Sequence, residues 1–371
     1  YVYPRTTNKI LRAFLKSKGV KESDIDEKYT PFGHSDYQTI VADIKKFAAG
    51  GKTAVVSTIN GDSNVPFYKE LGNAGLKAKD VPVVAFSVGE EELRGVDTKP
   101  LVGHLAAWNY FMSIKNPSND EFVKKWASYA KANNVLLPML FELGNPRGKP
   151  DKPLPEFVTK NRVPKVDQGT GDTPLPASAA LSLPIDDIGN SAAAIGHLNA
   201  NVDVDGGIRT EPLVVQFFDQ YYPSMSMMLA AKSLNLGPED IKVTLGQGVQ
   251  IGKLRIATDS ALQMHTYFYK DREGRPAFRV DSFFDVYSGK IKPETFQDKI
   301  VLIGPTAAGV GTTSVTPVSP AMPPVLTLAH SVSSILQEHF FVASEWGFWA
   351  EKLVFLLIAA YLIAALPRLK A

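Results

Sequence analysis

The chain has 371 residues, enough for two or three domains that each bury a core. Its 40 basic residues nearly balance its 38 acidic residues, so no strongly positive surface favours a nucleic-acid partner. It contains no cysteine, which excludes disulfides, thiolate metal sites and a cysteine nucleophile.

The first 130 or so residues alternate predicted helices and strands. The predicted strands are short buried runs at 53–59, 81–86 and 101–106. The predicted helices are at 8–18, 36–49, 66–74 and 118–126, and a capping box of Ser35 with Gln38 opens the second. This alternation predicts an α/β fold with a parallel sheet that carries helices on both faces.

Candidate ligand-binding residues lie at the start of the chain and after the predicted strands. In the opening YVYPRTTN, an extended segment would place Tyr1 and Tyr3 on one side as an aromatic wall. Ordinary aromatic packing explains this spacing equally well. Ligands bind beyond the carboxyl ends of parallel strands, where Asn60, Ser87, Trp108 and Tyr110 are found. These neutral groups suit a small polar, uncharged ligand.

The composition changes from about residue 134, and the second half is predicted to be mixed α+β. Residues 145–183 are rich in proline, glycine and lysine and are predicted to form a long exposed loop. Helices are predicted at 224–234 and 328–340, and a short strand at 278–280. KIVLIG at 299–304 is the clearest predicted buried strand of this half.

The C-terminal segment contains the uncharged run LVFLLIAAYLIAAL at 353–366. Trp346, Phe348 and Trp349 precede it, while Arg368 and Lys370 follow it. We interpret 346–371 as a transmembrane helix with a basic cytoplasmic end, which places the bulk of the chain outside the cytoplasm. A buried core helix is the alternative, because the run alone is shorter than a span.

No motif in the sequence supports catalysis. GPTAAGVGTT at 304–313 resembles a phosphate loop but lacks its lysine, and no serine lies in a G-x-S-x-G motif. No two of the six histidines lie within four residues of each other on one element, a spacing that metal sites commonly use. We therefore predict neither enzymatic activity nor a metal or other cofactor.

Several segments of the first 131 residues resemble a known receptor family. YVYPRTTNKILRAFLKSKGV, STINGDSNVPFYKELGNAGL, VPVVAFSVGEEEL and VGHLAAWNYFMSI resemble, in this order, the urea- and short-amide-binding receptors of bacterial ABC transporters, which are type I periplasmic binding proteins. The resemblance implies that Tyr1 and Tyr3 face an amide ligand and, less directly, that Ser87, Trp108 and Tyr110 do so. Those receptors close two lobes around the ligand, and this segment resembles the second lobe alone.

Residues 133–346 resemble a different family. IGHLNANVDVDGGIRTEPL, YPSMSMMLAA, KIVLIGPTAAGVGTTSVTPVSPAMPPV and LAHSVSSIL resemble the second subtype of the CHASE-type extracellular sensor domain. The resemblance implies a membrane sensor that is homodimeric and signals to a cytoplasmic output domain. Thr312 and Thr313 stand where that family usually has an aspartate.

These observations predict three segments: a receptor-like lobe at 1–131, a sensor-like domain at 132–345 and the membrane helix at 346–371. The leading hypothesis is a membrane-anchored sensory module that binds a small polar solute such as urea or a short amide. One alternative is a solute receptor of a urea or amide transporter. Another is a structural or interaction element of a cell-surface assembly.

Overall fold

The computed structural model describes residues 2–31, 33–90, 93, 97–108, 110–132, 134–150, 153–169, 173–272, 276–306, 313–341 and 346–365. The α-helices in this part of the chain are α1 Val2–Ser17, α2 Gln38–Ala48, α3 Asn64–Asn73, α4 Pro117–Ala132, α5 Glu156–Thr159, α6 Asp186–Gly189, α7 Met225–Ser233, α8 Phe283–Tyr287, α9 Pro324–Leu336 and α10 Gly347–Ala360.

The β-strands form several small sheets. Those of the first half of the chain are β1 Val55–Ser57, β2 Val83–Ala85 and β3 Leu105–Ala106. Those of the second half are β4 Leu136–Leu143, β5 Lys165–Asp167, β6 Leu175–Ser182, β7 Ala194–His197, β8 Thr210–Pro212, β9 Val214–Phe217, β10 Gln220–Pro223, β11 Ile241–Thr244, β12 Gly248–Ile251, β13 Leu254–Ala257, β14 Gln263–Thr266, β15 Ser314–Thr316, β16 Ser319–Met322 and β17 Phe340–Phe341.

The first half contains a three-stranded parallel sheet in the order β1-β2-β3, which confirms the predicted parallel pairing. The strands are short, apolar and rich in valine, as expected for strands covered by helices. Val41 of α2 and Phe67 and Leu71 of α3 are buried in one cluster with Val83 of β2. This core fixes the ends of the strands, where the candidate site lies.

The second half is built on a five-stranded mixed sheet in the order β10-β9-β6-β4-β7. β4 pairs antiparallel with β6 and parallel with β7. A four-stranded sheet (β13-β12-β11-β5), a three-stranded sheet (β17-β14-β8) and the β15–β16 hairpin complete it. Helix α7 is almost wholly buried, and its Met227 and Met228 are in the main core cluster.

The extended start predicted for the chain is wrong, because α1 already begins at Val2 and includes Tyr3. Residues two apart on a helix do not share a face, so the extended geometry assumed for an aromatic wall does not apply to Tyr3. Pro4 lies in the first turn, where a proline is tolerated because the amide has no helical partner there. Tyr1 itself lies outside the described residues.

The long exposed loop predicted at 145–183 is also wrong. It contains α5, β5 and β6, and Phe157 and Val158 are buried. β6 lies inside the five-stranded sheet between β9 and β4. Its sequence LPASAALS has no β-branched or aromatic residue, so its strand conformation follows from pairing on both edges and not from β-propensity.

Two strands predicted in the second half are absent from the described structure. Residues 299–304 adopt no regular structure, and Ile300, Val301 and Ile303 are exposed at 40%, 48% and 80%. Residues 278–280 are likewise irregular, with Val280 exposed. β-propensity alone does not form a strand when no partner edge is available.

The predicted transmembrane helix is wrong. Among the residues that the structure describes, no helix is long and apolar enough to cross a membrane. Helix α10 has 14 residues and is followed by a π-helical turn at Tyr361–Ala365. The single-pass membrane localisation with a cytoplasmic C-terminus loses its support with this helix.

Candidate functional site

The carboxyl ends of β1 and β2 meet the N-terminal half of α1. The Tyr3 hydroxyl donates a hydrogen bond of 2.8 Å to the Phe86 carbonyl oxygen, just beyond β2. The Thr58 hydroxyl, just beyond β1, donates to Asn8 Oδ1 of α1 at 3.1 Å. Helix α1 is therefore held across the edge of the sheet at which parallel α/β folds bind ligands.

The loop that follows β1 is fixed by the buried side chain of Asn64, at the start of α3. Its amide nitrogen donates to the carbonyl oxygens of Ile59 and Gly61, both at 3.1 Å. The Ser87 hydroxyl also donates to the Ile59 carbonyl oxygen. Gly61 has a φ of +58°, which glycine adopts without a Cβ clash. These bonds set the backbone on both sides of Asn60.

Beside this loop is a cleft of about 60 Å³. A single water molecule needs about 10–15 Å³ of such space, so the cleft has room for about four to six waters or for one small solute in their place. The residues that line it are Pro4, Lys28, Tyr29, Thr30, Pro31, Thr58, Ile59, Asn60 and Ser63.

The charge in the cleft is compensated. Among the described residues that line it, Lys28 carries the only formal charge. Its ammonium group lies 3.3 Å from a carboxylate oxygen of Asp43 and 3.4 Å from one of Asp26. The hydrogen bond to Asp43 is the main cause that raises the pKa of Lys28. A cleft with a neutralised cation favours an uncharged ligand.

The hydroxyl of Tyr29 is oriented by a carboxylate next to the cleft. It donates to Glu27, which also accepts from the Arg12 guanidinium at 2.6 Å. Both hydrogen bonds lower the pKa of Glu27, and the one from Tyr29 has the larger effect. The bond between Tyr29 and Glu27 also raises the pKa of Tyr29. Tyr29 therefore remains protonated where it lines the cleft.

The structure brings some of the predicted site residues together. Asn60 lines the cleft, and Tyr3 and Ser87 lie at the same strand ends, where their hydroxyls bind backbone carbonyl oxygens. Trp108 is 48% exposed, and the Tyr110 hydroxyl donates to Asn119 Oδ1 at 2.8 Å, at the start of α4. These last two follow β3 and do not line the cleft, while Tyr1 lies outside the described residues.

Sequence reasoning missed the residues that reach the cleft from other parts of the chain. Pro4 comes from α1, and Lys28 and Tyr29 come from the segment between α1 and α2. Tyr29 is followed by Thr30 and Pro31. A tyrosine beside a polar, proline-containing stretch was the one feature of the sequence that could have indicated a binding segment here. The position of α1 across the strand ends brings this segment near β1, and the sequence does not indicate that position.

A larger cavity of about 250 Å³ lies on the outer side of β1, between α1 and α2. It shares Lys28, Thr30, Thr58 and Ile59 with the cleft, but apolar atoms make up most of its exposed lining. We therefore do not assign a small polar solute to it. In the described part of the chain no group of three metal-ligating side chains occurs, and the absence of a metal stays a prediction.

The comparison with protein families bears on this half of the chain. Residues 1–140 match the periplasmic binding protein domain. The match includes α1–α4, the parallel sheet and the cleft, and agrees with the type I periplasmic binding proteins that 1–131 resemble. No curated protein matches the chain.

This match indicates extracytoplasmic solute binding by a domain of a kind that is typically not enzymatic. It does not extend to residues 141–371, so the likeness of the second half to a CHASE-type sensor domain stays a prediction. The identity of the solute and the specificity for urea are also untested.

Proposed function

We propose that the chain binds a small, uncharged, polar solute such as urea or a short amide in the cleft at the end of β1. The volume of the cleft carries this proposal: urea and acetamide have four non-hydrogen atoms each, and formamide has three, within the space of about 60 Å³. Asn60 would bind the amide group through its side-chain amide, which offers both donors and acceptors.

The electrostatics support a neutral ligand over an ion. Lys28 is paired with two carboxylates, and Glu27 with Arg12 and Tyr29, so neither charge is available to an ionic ligand without breaking an existing pair. Acetate has the shape of acetamide but carries a charge. We expect the cleft to bind acetamide and to discriminate against acetate.

The test is calorimetric titration of the full chain with urea, acetamide, formamide and acetate. Replacement of Asn60 by Ala should weaken amide binding by roughly 5- to 150-fold, the equivalent of about 1–3 kcal/mol for an unpaired polar group. Asn73→Ala, the same change at the end of α3 and away from the cleft, is the matched control. Absence of saturable binding to a folded chain, or unchanged affinity in Asn60→Ala, would refute the assignment.

We further propose that binding is relayed to the second half of the chain, as in a sensory module, and that the boundary between the two parts lies near residue 132. Helix α4 contacts α6 of the second half and leads directly into β4, an interior strand of the five-stranded sheet. A relay predicts that acetamide changes the amide NMR resonances of β4 and α6. Binding that leaves these resonances unchanged would favour the receptor of a transporter.

A further inference from the structure

In the part of the chain that the structure describes, one edge of strand β1 is unpaired. Within the described strands it pairs with β2 alone. The Val55 amide donates to the Pro82 carbonyl oxygen, and the Ser57 carbonyl oxygen accepts from the Phe86 amide, both at 2.9 Å. Backbone groups alternate between the two edges of a strand, so the N–H and C=O of Val56 face away from β2.

The 250 Å³ cavity runs along this free edge and will be called the edge groove. All residues from Thr53 to Ile59 line it, with Leu11 and Leu15 of α1 on one side and Ile40 and Ile44 of α2 on the other. It is smaller than the roughly 300–1,000 Å³ of typical small-molecule pockets. Val56 and Phe47 are each 40% exposed, so the groove is open to solvent.

The edge groove also contains a buried donor. Tyr37 is 1% exposed, and in the described part of the chain its hydroxyl has no hydrogen-bond partner. Buried tyrosine hydroxyls normally have partners. An added strand would pair with the free edge of β1 and cover the apolar walls of the groove beside Tyr37 at once.

The chain contains a segment with the matching properties. Residues 299–304, KIVLIG, have high β-propensity but belong to no strand. Leu302 packs on the cluster formed by α7 and α9, whereas Val301 and Ile303 are exposed at 48% and 80%. In an extended segment Val301 and Ile303 point to the side opposite Leu302, so they are available to a second molecule.

The charges are complementary as well. Lys299 is the only charged residue in 299–304. The charged residues that line the edge groove are four acids against two bases, namely Asp24, Asp26, Glu27 and Asp43 against Arg12 and Lys28. A basic end on the incoming strand is therefore favoured over an acidic one.

We propose that residues 299–304 of a second copy of this chain dock as an added strand on the free edge of β1. Val301 and Ile303 enter the edge groove, and the backbone of the docked segment pairs with Val56. When each copy inserts its segment into the other, the contact is isologous and closes as a two-fold dimer. The proposal is independent of solute binding.

The test is sedimentation velocity of the full chain over a range of micromolar concentrations. Val56→Pro removes the outward amide without removing a β1–β2 hydrogen bond, because edge strands accept proline at such positions. Ile303→Asp changes an exposed side chain of the docking segment and leaves the core untouched. Val204→Asp, at a fully exposed valine outside both surfaces, is the control.

We expect a monomer–dimer equilibrium in the wild type and in Val204→Asp, with association at least tenfold weaker in Val56→Pro and Ile303→Asp. The peptide acetyl-KIVLIG-amide in excess should dissociate the dimer. If circular dichroism showed that Val56→Pro does not fold, the association of Ile303→Asp alone would test the proposal. A wild type that is monomeric throughout, or a dimer that persists in Ile303→Asp, overturns the proposal.

Discussion

At the scale of single residues, His330 links the stability of the second half to pH. It is 3% exposed, its Nδ1 accepts a hydrogen bond from the Tyr269 amide at 3.1 Å, and burial lowers its pKa to about 4. In the unfolded chain the same group has its ordinary pKa of 6.5. Between these values the unfolded state binds a proton that the folded state does not, so stability falls as the pH drops from 6.5 towards 4.

The variant His330→Asn retains an acceptor near the position of Nδ1 but cannot be protonated. We expect the wild type to lose up to about 3 kcal/mol more than this variant over that range, measured by urea unfolding at each pH. Burial raises the pKa of Glu211, so this group makes stability fall as the pH rises. Glu211 is present in both proteins, so its effect cancels from their difference. Replacement of the exposed His339 by Asn is the control; equal pH dependence in all three proteins would refute the role of His330.

At the scale of elements, two serines that precede helices test which N-caps form. Ser224 precedes α7, is 1% exposed and accepts a hydrogen bond from the Met227 amide at 3.2 Å. Ser35 belongs to the capping box predicted from sequence, but α2 is preceded by Tyr37 and has no side-chain cap. We expect Ser224→Ala to lower the free energy of unfolding by about 1 kcal/mol and Ser35→Ala to leave it unchanged, in denaturant titrations. A comparable loss in both variants would contradict these assignments.

The elements that could be predicted from sequence are those whose buried residues follow a local pattern. β1 and β2 are valine-rich runs between helices, and pattern alone located them. β6 was missed and 299–304 was wrongly predicted as a strand for the same physical reason. Strand formation depends on a partner edge, and β6 has two while 299–304 has none in the described chain.

At the scale of the whole molecule, the position of the candidate cleft could be predicted from sequence, but most of the residues that line it could not. Parallel strands direct ligands to their carboxyl ends, and Asn60 and Ser87 lie at one such edge, while their roles in ligand binding stay predictions. Lys28 and Tyr29 reach the cleft because α1 crosses that edge and turns the chain back. This arrangement is tertiary, and no local pattern in residues 24–31 encodes it.

The most direct test of the account is to locate the bound solute. Amide NMR spectra of the deuterated full chain should be recorded with increasing acetamide and, as a control, acetate. We expect saturable shifts from acetamide at Tyr29, Asn60 and Ser63, which line the cleft and not the edge groove, and much weaker shifts from acetate. Acetamide shifts that are absent, or that centre on Trp108 and Tyr110 or on the edge groove, would contradict it.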